Sequence, residues 1–520
     1  MKKVPQAISI KILGLLTQGK SAPAPRFFAR PEVALFVLES TVSMASSPHV
    51  SDIGRVHEAD VVVIGAGPGG YSAAFHAADL GLQTVLVDLR EKPGGACLHV
   101  GCIPSKALLH VSQILYQAEQ ASVLGVEFQK PRVDINRVRE WKDDVIQKLT
   151  GGLGKIAKMR GVKFVQGRAV FQNSQQLKVN GEAPAEIRFK HAIIATGSRP
   201  TTFPPFDIES ERILDSSSGL EIREAYERLL IVGGGYIGLE LGTVYAALGS
   251  KVTIVELTEG LLRGVDRDLV RPLAKRLGES FEAIHLKTSV DRLNESSQGV
   301  EVQLKGNVNS SEVFDAVLVA VGRTANTDGL GLENTKVRLQ DNFVAIDEQC
   351  RTSDPSIFAI GDVAGQPMLA HKAFREGKIA AQVMAGKAAA LDNLAIPAVV
   401  FTDPEIAWCG LTETEARQEG REVSVAKFPW SASGRALTLG RTDGLTKIVF
   451  DPETQAVLGV GIAGPGAGEL IAEGCLAIEM AAVAEDLAAT IHPHPTLSET
   501  VMEATEVLFG HSSHVYRRRQ

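Results

Sequence analysis

Residues 59–88 and 229–256 are two copies of one βαβ unit, and this duplication limits the possible fold more than any other feature of the chain. In the first copy the apolar strand ADVVVI runs into the loop GAGPGG, a helical YSAAFHAADLG and a second strand TVLVD. In the second, LLIV, GGGYIG, LELGTVYAALG and KVTIVE follow in the same order. Each carries GxGxxG, as Gly65, Gly67 and Gly70 and again as Gly233, Gly235 and Gly238. In each, an acid follows the last glycine by eighteen positions, Asp88 or Glu256. The glycines allow the tight turn and let backbone approach a pyrophosphate at the helix N-terminus, while the acid accepts hydrogen bonds from a ribose. One such match is a weak signal. Two with identical spacing and full strand, loop, helix and strand context predict a chain that binds two dinucleotides.

At 520 residues the chain has room for about three or four domains. Its 54 Lys plus Arg against 61 Asp plus Glu leave a formal charge of −7, so no nucleic-acid footprint is expected. Hydrophobic residues make up 44% of the chain, but the longest apolar runs contain Lys, Gly or Pro, so no membrane span is expected. Residues 1–56 differ from the rest. Up to Arg30 they hold six basic residues and no acid, and their composition cannot build a core. They read as a disordered or targeting extension, with Met44 as an alternative start. The expected compartment is the cytoplasm, or the mitochondrial matrix if this segment is an import presequence.

Five cysteines, an odd and small number, do not make a secreted disulfide framework. Cys97 and Cys102 stand out because they lie five positions apart within GGACLHVGCIPSK, residues 94–106. Closing so short a loop would stabilise a large fold by only roughly 2 kcal/mol, so a working redox pair explains the spacing better than a staple. One helical turn running toward Pro104 would place the pair at a helix N-terminus, where free N–H groups lower a thiol pKa. Cys350, Cys409 and Cys475 read as structural.

Between and after the two units lie ATGS, residues 195–198, and SIFAIGDVAG with Gly361 and Asp362. Each reads as a strand end followed by a turn, the place where open parallel sheets collect ligands, and an Asp there suits a cofactor's polyol chain. From Pro397 onward short β-rich runs such as AVVFTD and TKIVFD, then helices such as GELIAEGCLAIEMA, predict a separate terminal domain. Near the end, HPHPTLSE sets His494 and Glu499 five apart. A carboxylate holding one imidazole nitrogen orients the other as a base, although an exposed pair of this kind is more often only a surface contact.

With the cysteine pair, both fingerprints, ATGS and AIGD in this order, the chain resembles the flavoprotein disulfide reductases, class I pyridine nucleotide-disulfide oxidoreductases. Within that family it is most similar to the dihydrolipoamide-oxidising branch. The match runs from about residue 58 to about 510 and includes VVFTDPEIAW, SGRALTLGRT and GPGAGELIAEG. The resemblance implies an α/β fold with two Rossmann-like dinucleotide-binding domains, for FAD at 57–201 and NAD at 202–328. A central domain at 329–395 would complete the FAD site, and an α+β domain at 396–520 would make a homodimer.

The resemblance also assigns roles. Cys97 becomes the interchange thiol that meets substrate and Cys102 the charge-transfer thiol against the flavin, which relays electrons that a disulfide cannot accept directly as hydride. His494 with Glu499 becomes the base, supplied across the dimer interface to the partner's Cys97, while His492 keeps a structural reading. Lys106 pairs with Glu240 beside flavin N5. FAD contacts fall at Gly65, Gly67, Gly70, Asp88, Lys106, Ala169, Thr196, Gly197, Ser198, Asp362, Met368, Leu369, Ala370 and His371. NAD contacts fall at Gly233, Gly235, Gly238, Glu240, Glu256, Val290 and Gly322. The implied partners are a second copy of the chain and the lipoyl domains of 2-oxo acid dehydrogenase complexes or the glycine-cleavage carrier protein.

Glu256 favours NAD, since a carboxylate repels the 2′-phosphate of NADP; Arg263 departs from the family's usual Pro and would soften that preference. An NADPH-linked glutathione-type reductase would want basic residues after the second strand. A mercuric reductase would want a terminal cysteine pair, but the chain ends SSHVYRRRQ. A non-catalytic flavin-binding scaffold is opposed by the intact Cys97, Cys102, His494 and Glu499.

Overall fold

The computed structural model describes residues 55–206, 208 and 210–516, so the expectations for the basic N-terminal segment and for Met44 lie outside the described residues. The first βαβ unit forms where the sequence places it, as strand Arg55–Ile64, helix Pro68–Asp79 and strand Thr84–Asp88, with Val61 to Ile64 in parallel register against Thr84 to Val87. Val61, Val62 and Val63 are all fully buried. Helices cover one face of this sheet and the hairpin residues Ala169 to Val179 with Leu330, Val344 and Val363 cover the other, so both faces are buried and the strand reads as an unbroken apolar run rather than an alternating one.

Strand Lys163–Gln166 extends one edge of the sheet, and Ala185–Ile194 runs parallel on the other side of Arg55–Ile64. The far side of Ala185–Ile194 is shared by an antiparallel hairpin, Arg168–Asn173 with Gln176–Asn180, and by the short parallel strand Ile357–Ala359. That last strand comes from residues 329–395. The same segment supplies helix Ala370–Met384, which packs on helix Pro68–Asp79 where Gly69, Ala73 and Gly377 allow a close approach.

The second unit is a five-stranded parallel sheet in the order 283–286, 251–256, 228–232, 316–319, 213–214. A three-stranded antiparallel sheet, residues 288–314, is inserted before its strand Ala316–Val319. The chain passes twice between the two nucleotide units, and the crossings pair as a ribbon, Ser198–Pro200 against Arg323–Ala325.

The C-terminal unit is a five-stranded antiparallel sheet in the order 398–400, 406–410, 457–463, 445–450, 424–429. Helices Ala467–Glu479 and Glu499–Phe509 pack against it. Its core holds fully buried Trp430, whose indole N–H donates to Thr446 Oγ1 at 2.9 Å. Ionic contacts tie this unit to helix Arg267–Ser280 of the second sheet: the 2% exposed Lys447 ammonium meets Asp266 at 2.5 Å and Asp268 at 2.8 Å, while Arg276 and Arg441 both hold Asp403 at 2.6 Å. Burial of Lys447 is tolerable because carboxylates surround it. Among the described residues, no helix is long and apolar enough to cross a membrane.

Candidate active site

The carboxyl end of the first sheet opens into a cleft with about 1170 Å³ of empty space. Gly65, Gly67 and Asp88 line it from the first fingerprint, Thr196, Gly197 and Ser198 from the second motif, and Asp362, Met368 and Ala370 from the third. Cys97, Cys102, Lys106 and Glu240 form part of the same wall. Most residues expected at one cofactor thus converge, although they are spread from Gly65 to Ala370 along the chain.

Local structure at the cysteine pair differs from one turn of helix. Cys97 sits inside a short helix, Gly95–Val100, and Cys102 is the first residue of a separate helix, Cys102–Gln120. Gly101, between them, has φ −147° and breaks the run. Only Cys102 therefore has the helix N-terminal position. Both are free thiols within hydrogen-bonding reach of each other. Cys102 is held below the usual thiol pKa, to about 7, chiefly by the hydrogen bond from Cys97; burial opposes this and the Lys106 ammonium assists. Cys97 is pushed up by the same contact and by burial. Cys102 lines the open cleft and is exposed there. A lowered thiol pKa means that thiolate predominates above about pH 7 and is lost as pH falls through it.

Lys106 follows Cys102 by one helical turn, and its Nζ lies 2.7 Å from Glu240 Oε2. Glu240 is carried by helix Tyr236–Ala247, the helix that opens the second fingerprint, and is 3% exposed. Tyr236 and Ile237 from the same turn also line the cleft. One helix N-terminus thus serves the second nucleotide loop and walls the first cavity, which brings the two predicted cofactor sites side by side.

The two acids after the fingerprints behave as a matched pair. Asp88 accepts from Ala66 N at 2.6 Å and Arg90 N at 2.8 Å; Glu256 accepts from Gly234 N at 2.7 Å and Thr258 N at 2.7 Å. Each glycine loop is held by its own acid. A Cβ on Gly238 would meet Gly233 O at 2.2 Å, so packing requires that glycine, whereas a Cβ on Gly235 meets nothing within 4 Å. The middle glycine therefore leaves room that the protein itself does not fill, which fits a pyrophosphate passing over the helix N-terminus. Gly235→Ala is expected to leave the melting temperature within about 2 °C and raise the NAD KM about tenfold or more, measured by calorimetry and steady-state kinetics. Gly238→Ala is expected to destabilise the fold by about 2 kcal/mol or more.

Some expected residues lie elsewhere. Gly70 packs beneath its loop, where a Cβ would meet Gly65 O at 1.8 Å. Ala169 is buried in the hydrophobic core of the first sheet and does not line the cleft, while Val290, expected at the second nucleotide, packs against the core of the second unit. Leu369 caps helix Ala370–Met384, and His371 hydrogen-bonds Pro397 O at 2.6 Å. Gly233, Glu256 and Gly322 lie around the second loop, outside the first cleft. Arg263 is exposed.

Arg323, which sequence reasoning did not single out, lines the cleft and donates to Ser198 Oγ and to Ser198 O, both at 2.7 Å; Ser198 Oγ donates to Asp362 Oδ2 at 2.5 Å. Its place in VGRTAN just beyond a parallel strand end was the available signal. Behind Asp362, the buried pair Lys372 and Glu376 at 2.9 Å fixes the loop through Gly361 N, which donates to Glu376 Oε2 at 2.7 Å.

His494 Nδ1 lies 2.8 Å from Glu499 Oε1, and Thr496 N donates to Glu499 Oε2 at 2.7 Å. Burial disfavours the Glu499 carboxylate, but the Thr496 N–H and the His494 ring outweigh it and hold its pKa below the ordinary value. The dyad exists as geometry, yet it does not line the cleft of its own chain, and the His494 side chain is 74% exposed. His492, by contrast, is buried against Glu473 at 2.7 Å. On the same unit Leu476, Met480 and Ile491 are 63%, 71% and 95% exposed, an apolar surface suited to another protein.

The chain matches the pyridine nucleotide-disulphide oxidoreductase family over residues 59–377 and the dimerisation domain of that family over residues 396–505. It is 48% identical over 457 residues to dihydrolipoyl dehydrogenase of Vibrio parahaemolyticus, covering 87% of this chain and 96% of that protein. The dihydrolipoyl dehydrogenase of Geobacillus stearothermophilus is 45% identical over 461 residues, covering 88% and 98%. Among solved structures, LpdA from Mycobacterium tuberculosis aligns with a TM-score of 0.80 at 25% identity, covering 87% of this chain and 99% of that one. The HOCl-induced flavoprotein disulfide reductase RclA from Escherichia coli, as its Cu(II) complex, aligns at 0.78 and 27%, with the same coverage.

Proposed function

We infer the function from one premise: this chain belongs to the pyridine nucleotide-disulphide oxidoreductase family. It is an FAD-dependent enzyme that oxidises dihydrolipoamide and delivers the electrons to NAD, and its C-terminal unit dimerises. The observation that carries the site assignment is the thiol pair set beside the Lys106–Glu240 ion pair in the wall of the dinucleotide cleft. FAD, when bound, supplies the two-electron relay between dithiol and nicotinamide.

The residues divide the work as follows. A substrate thiolate attacks the sulfur of Cys97 in the Cys97–Cys102 disulfide, forming a mixed disulfide and leaving Cys102 as thiolate. The second substrate thiol displaces Cys97, closing the lipoamide ring. His494 accepts the substrate thiol proton at Nε2 while Glu499 holds Nδ1 and favours the protonated ring. The low pKa of Cys102 and the high one of Cys97 support this division, since a good leaving group should be the more acidic thiol. Lys106 supplies a fixed cation beside Cys102, and Glu240 offsets the cost of burying it. Gly65, Gly67, Asp88, Ser198 and Asp362 would hold FAD, and Gly233, Gly235 and Glu256 would hold NAD.

The electron donor in the assembled system is a dihydrolipoyl group carried on a lipoyl domain of a 2-oxo acid dehydrogenase or glycine-cleavage system. We place the enzyme in the cytoplasm, or in the mitochondrial matrix if the basic N-terminal segment is an import presequence, since five cysteines in 520 residues do not make a secreted disulfide framework. Steady-state rates with dihydrolipoamide and NAD against glutathione disulfide and NADPH test the reading; a preference for the second pair overturns it.

Glu256 also sets the nucleotide. Placed about 4 Å from a 2′-phosphate charge, its carboxylate costs about 4 kcal/mol at an effective dielectric near 20, nearly a thousandfold in affinity. Glu256→Ala should therefore narrow the NAD over NADP ratio of kcat/KM by about a hundredfold or more, and equal use of both nucleotides by the unaltered enzyme sinks the assignment.

A further inference from the structure

Lys106 is held from a second direction. Its Nζ stands 4.6 Å from the centroid of the Phe401 ring, and the Phe401 backbone N–H donates to Glu240 Oε1 at 3.0 Å, on the carboxylate whose other oxygen meets Lys106. Phe401 does not line the cleft. It follows strand Ala398–Val400 of the C-terminal unit and begins a loop anchored at every step. Thr402 Oγ1 donates to Pro404 O, Asp403 bridges Arg276 and Arg441, and Glu405 Oε2 accepts from Gly468 N on the helix Ala467–Glu479. One residue of the dimerising unit thus touches both halves of the ion pair beside the reactive thiols.

We propose that Phe401 is a positioning residue of the redox centre, its ring holding the Lys106 ammonium in place beside Cys102 while its N–H holds Glu240. The groups facing Cys102 are few. Cys97 donates to it, Lys106 and Glu240 carry the acting charges, and Tyr71 and Tyr236 have hydroxyl pKa values raised by burial to about 12, so they stay neutral. The Lys106 ammonium is accordingly the cation that favours the Cys102 thiolate. An aromatic face attracts an ammonium and excludes water from it. Without the ring, the ammonium becomes hydrated and mobile, its field at Cys102 is screened, and the thiolate is less favoured.

This inference rests on the redox-centre reading above, and its test separates the two. In the Cys97→Ser holoenzyme, the rate of iodoacetamide alkylation at Cys102 is followed against pH. Phe401→Leu should raise the midpoint by about half to one pH unit, and Phe401→Trp should restore it. In a Lys106→Met, Glu240→Gln background, Phe401→Leu should produce no further shift. A purely structural ring would lower the melting temperature and leave the midpoint in place, or shift it equally with and without Lys106; either result overturns the role of Phe401. Failure of the unaltered enzyme to oxidise dihydrolipoamide overturns the redox-centre reading itself.

Discussion

Cys97→Ser is expected to lower dihydrolipoamide turnover by about a thousandfold or more while FAD stays bound with its normal stoichiometry. A serine hydroxyl at this position cannot form or break a sulfur–sulfur bond, so the mixed disulfide that begins thiol exchange has no electrophilic partner. Residues proposed to hold the flavin lie mainly elsewhere in the cleft, in the glycine loop, Asp88, Ser198 and Asp362. Loss of turnover should thus be separable from loss of cofactor. Flavin content by absorbance and dihydrolipoamide-dependent NADH formation give the two readouts, and retained turnover would falsify the disulfide mechanism.

A mixed dimer carries the second large effect. His494→Gln alone should reduce turnover by about a hundredfold to ten thousandfold, the usual contribution of a positioned proton acceptor. Because the dyad lies outside the cleft of its own chain, each complete site is proposed to join Cys97 of one protomer to His494 of its partner. Refolding Cys97→Ser and His494→Gln chains together then yields heterodimers with one site doubly altered and the other intact. An equal mixture should recover about a quarter of wild-type activity from two nearly inactive parents, since half the dimers are mixed and each has one working site. If base and thiol belonged to the same chain, every mixed dimer would carry two defective sites and mixing would recover nothing. The rise on mixing is therefore a measure of where the base comes from, independent of how strong it is.

Local chemistry was legible wherever one short segment carries its own function. Gly65 and Gly233 occupy positive φ in their loops because the turn from strand to helix demands it, and GxGxxG announces that demand in six residues. The same holds for the Cys97 and Cys102 pair, and for His494 with Glu499, whose contact needs only a five-residue loop. Resemblance also put Ala169, Leu369 and His371 at a cofactor; Ala169 lies in the core and His371 bonds Pro397 O, while Leu369 stands between the cleft-lining Met368 and Ala370. The helical reading of the cysteine segment also missed its break, because Gly101 ends one helix and begins the next within a stretch that local pattern alone would join.

Two nucleotide loops, a close pair of thiols and a neighbouring histidine and carboxylate were thus written in local spacing, and resemblance to a known family added the reaction and the unequal roles of the thiols. What encircles that chemistry was decided only on folding. Arg323 reaches Ser198 across 125 positions, Glu240 reaches Lys106 across 134, and Phe401 reaches Glu240 across 161. No periodicity links residues so far apart, since such contacts exist only when sheets from different units pack and bring their strand ends together. Those packed ends set the charge beside Cys102, and with it the acidity on which the reaction depends.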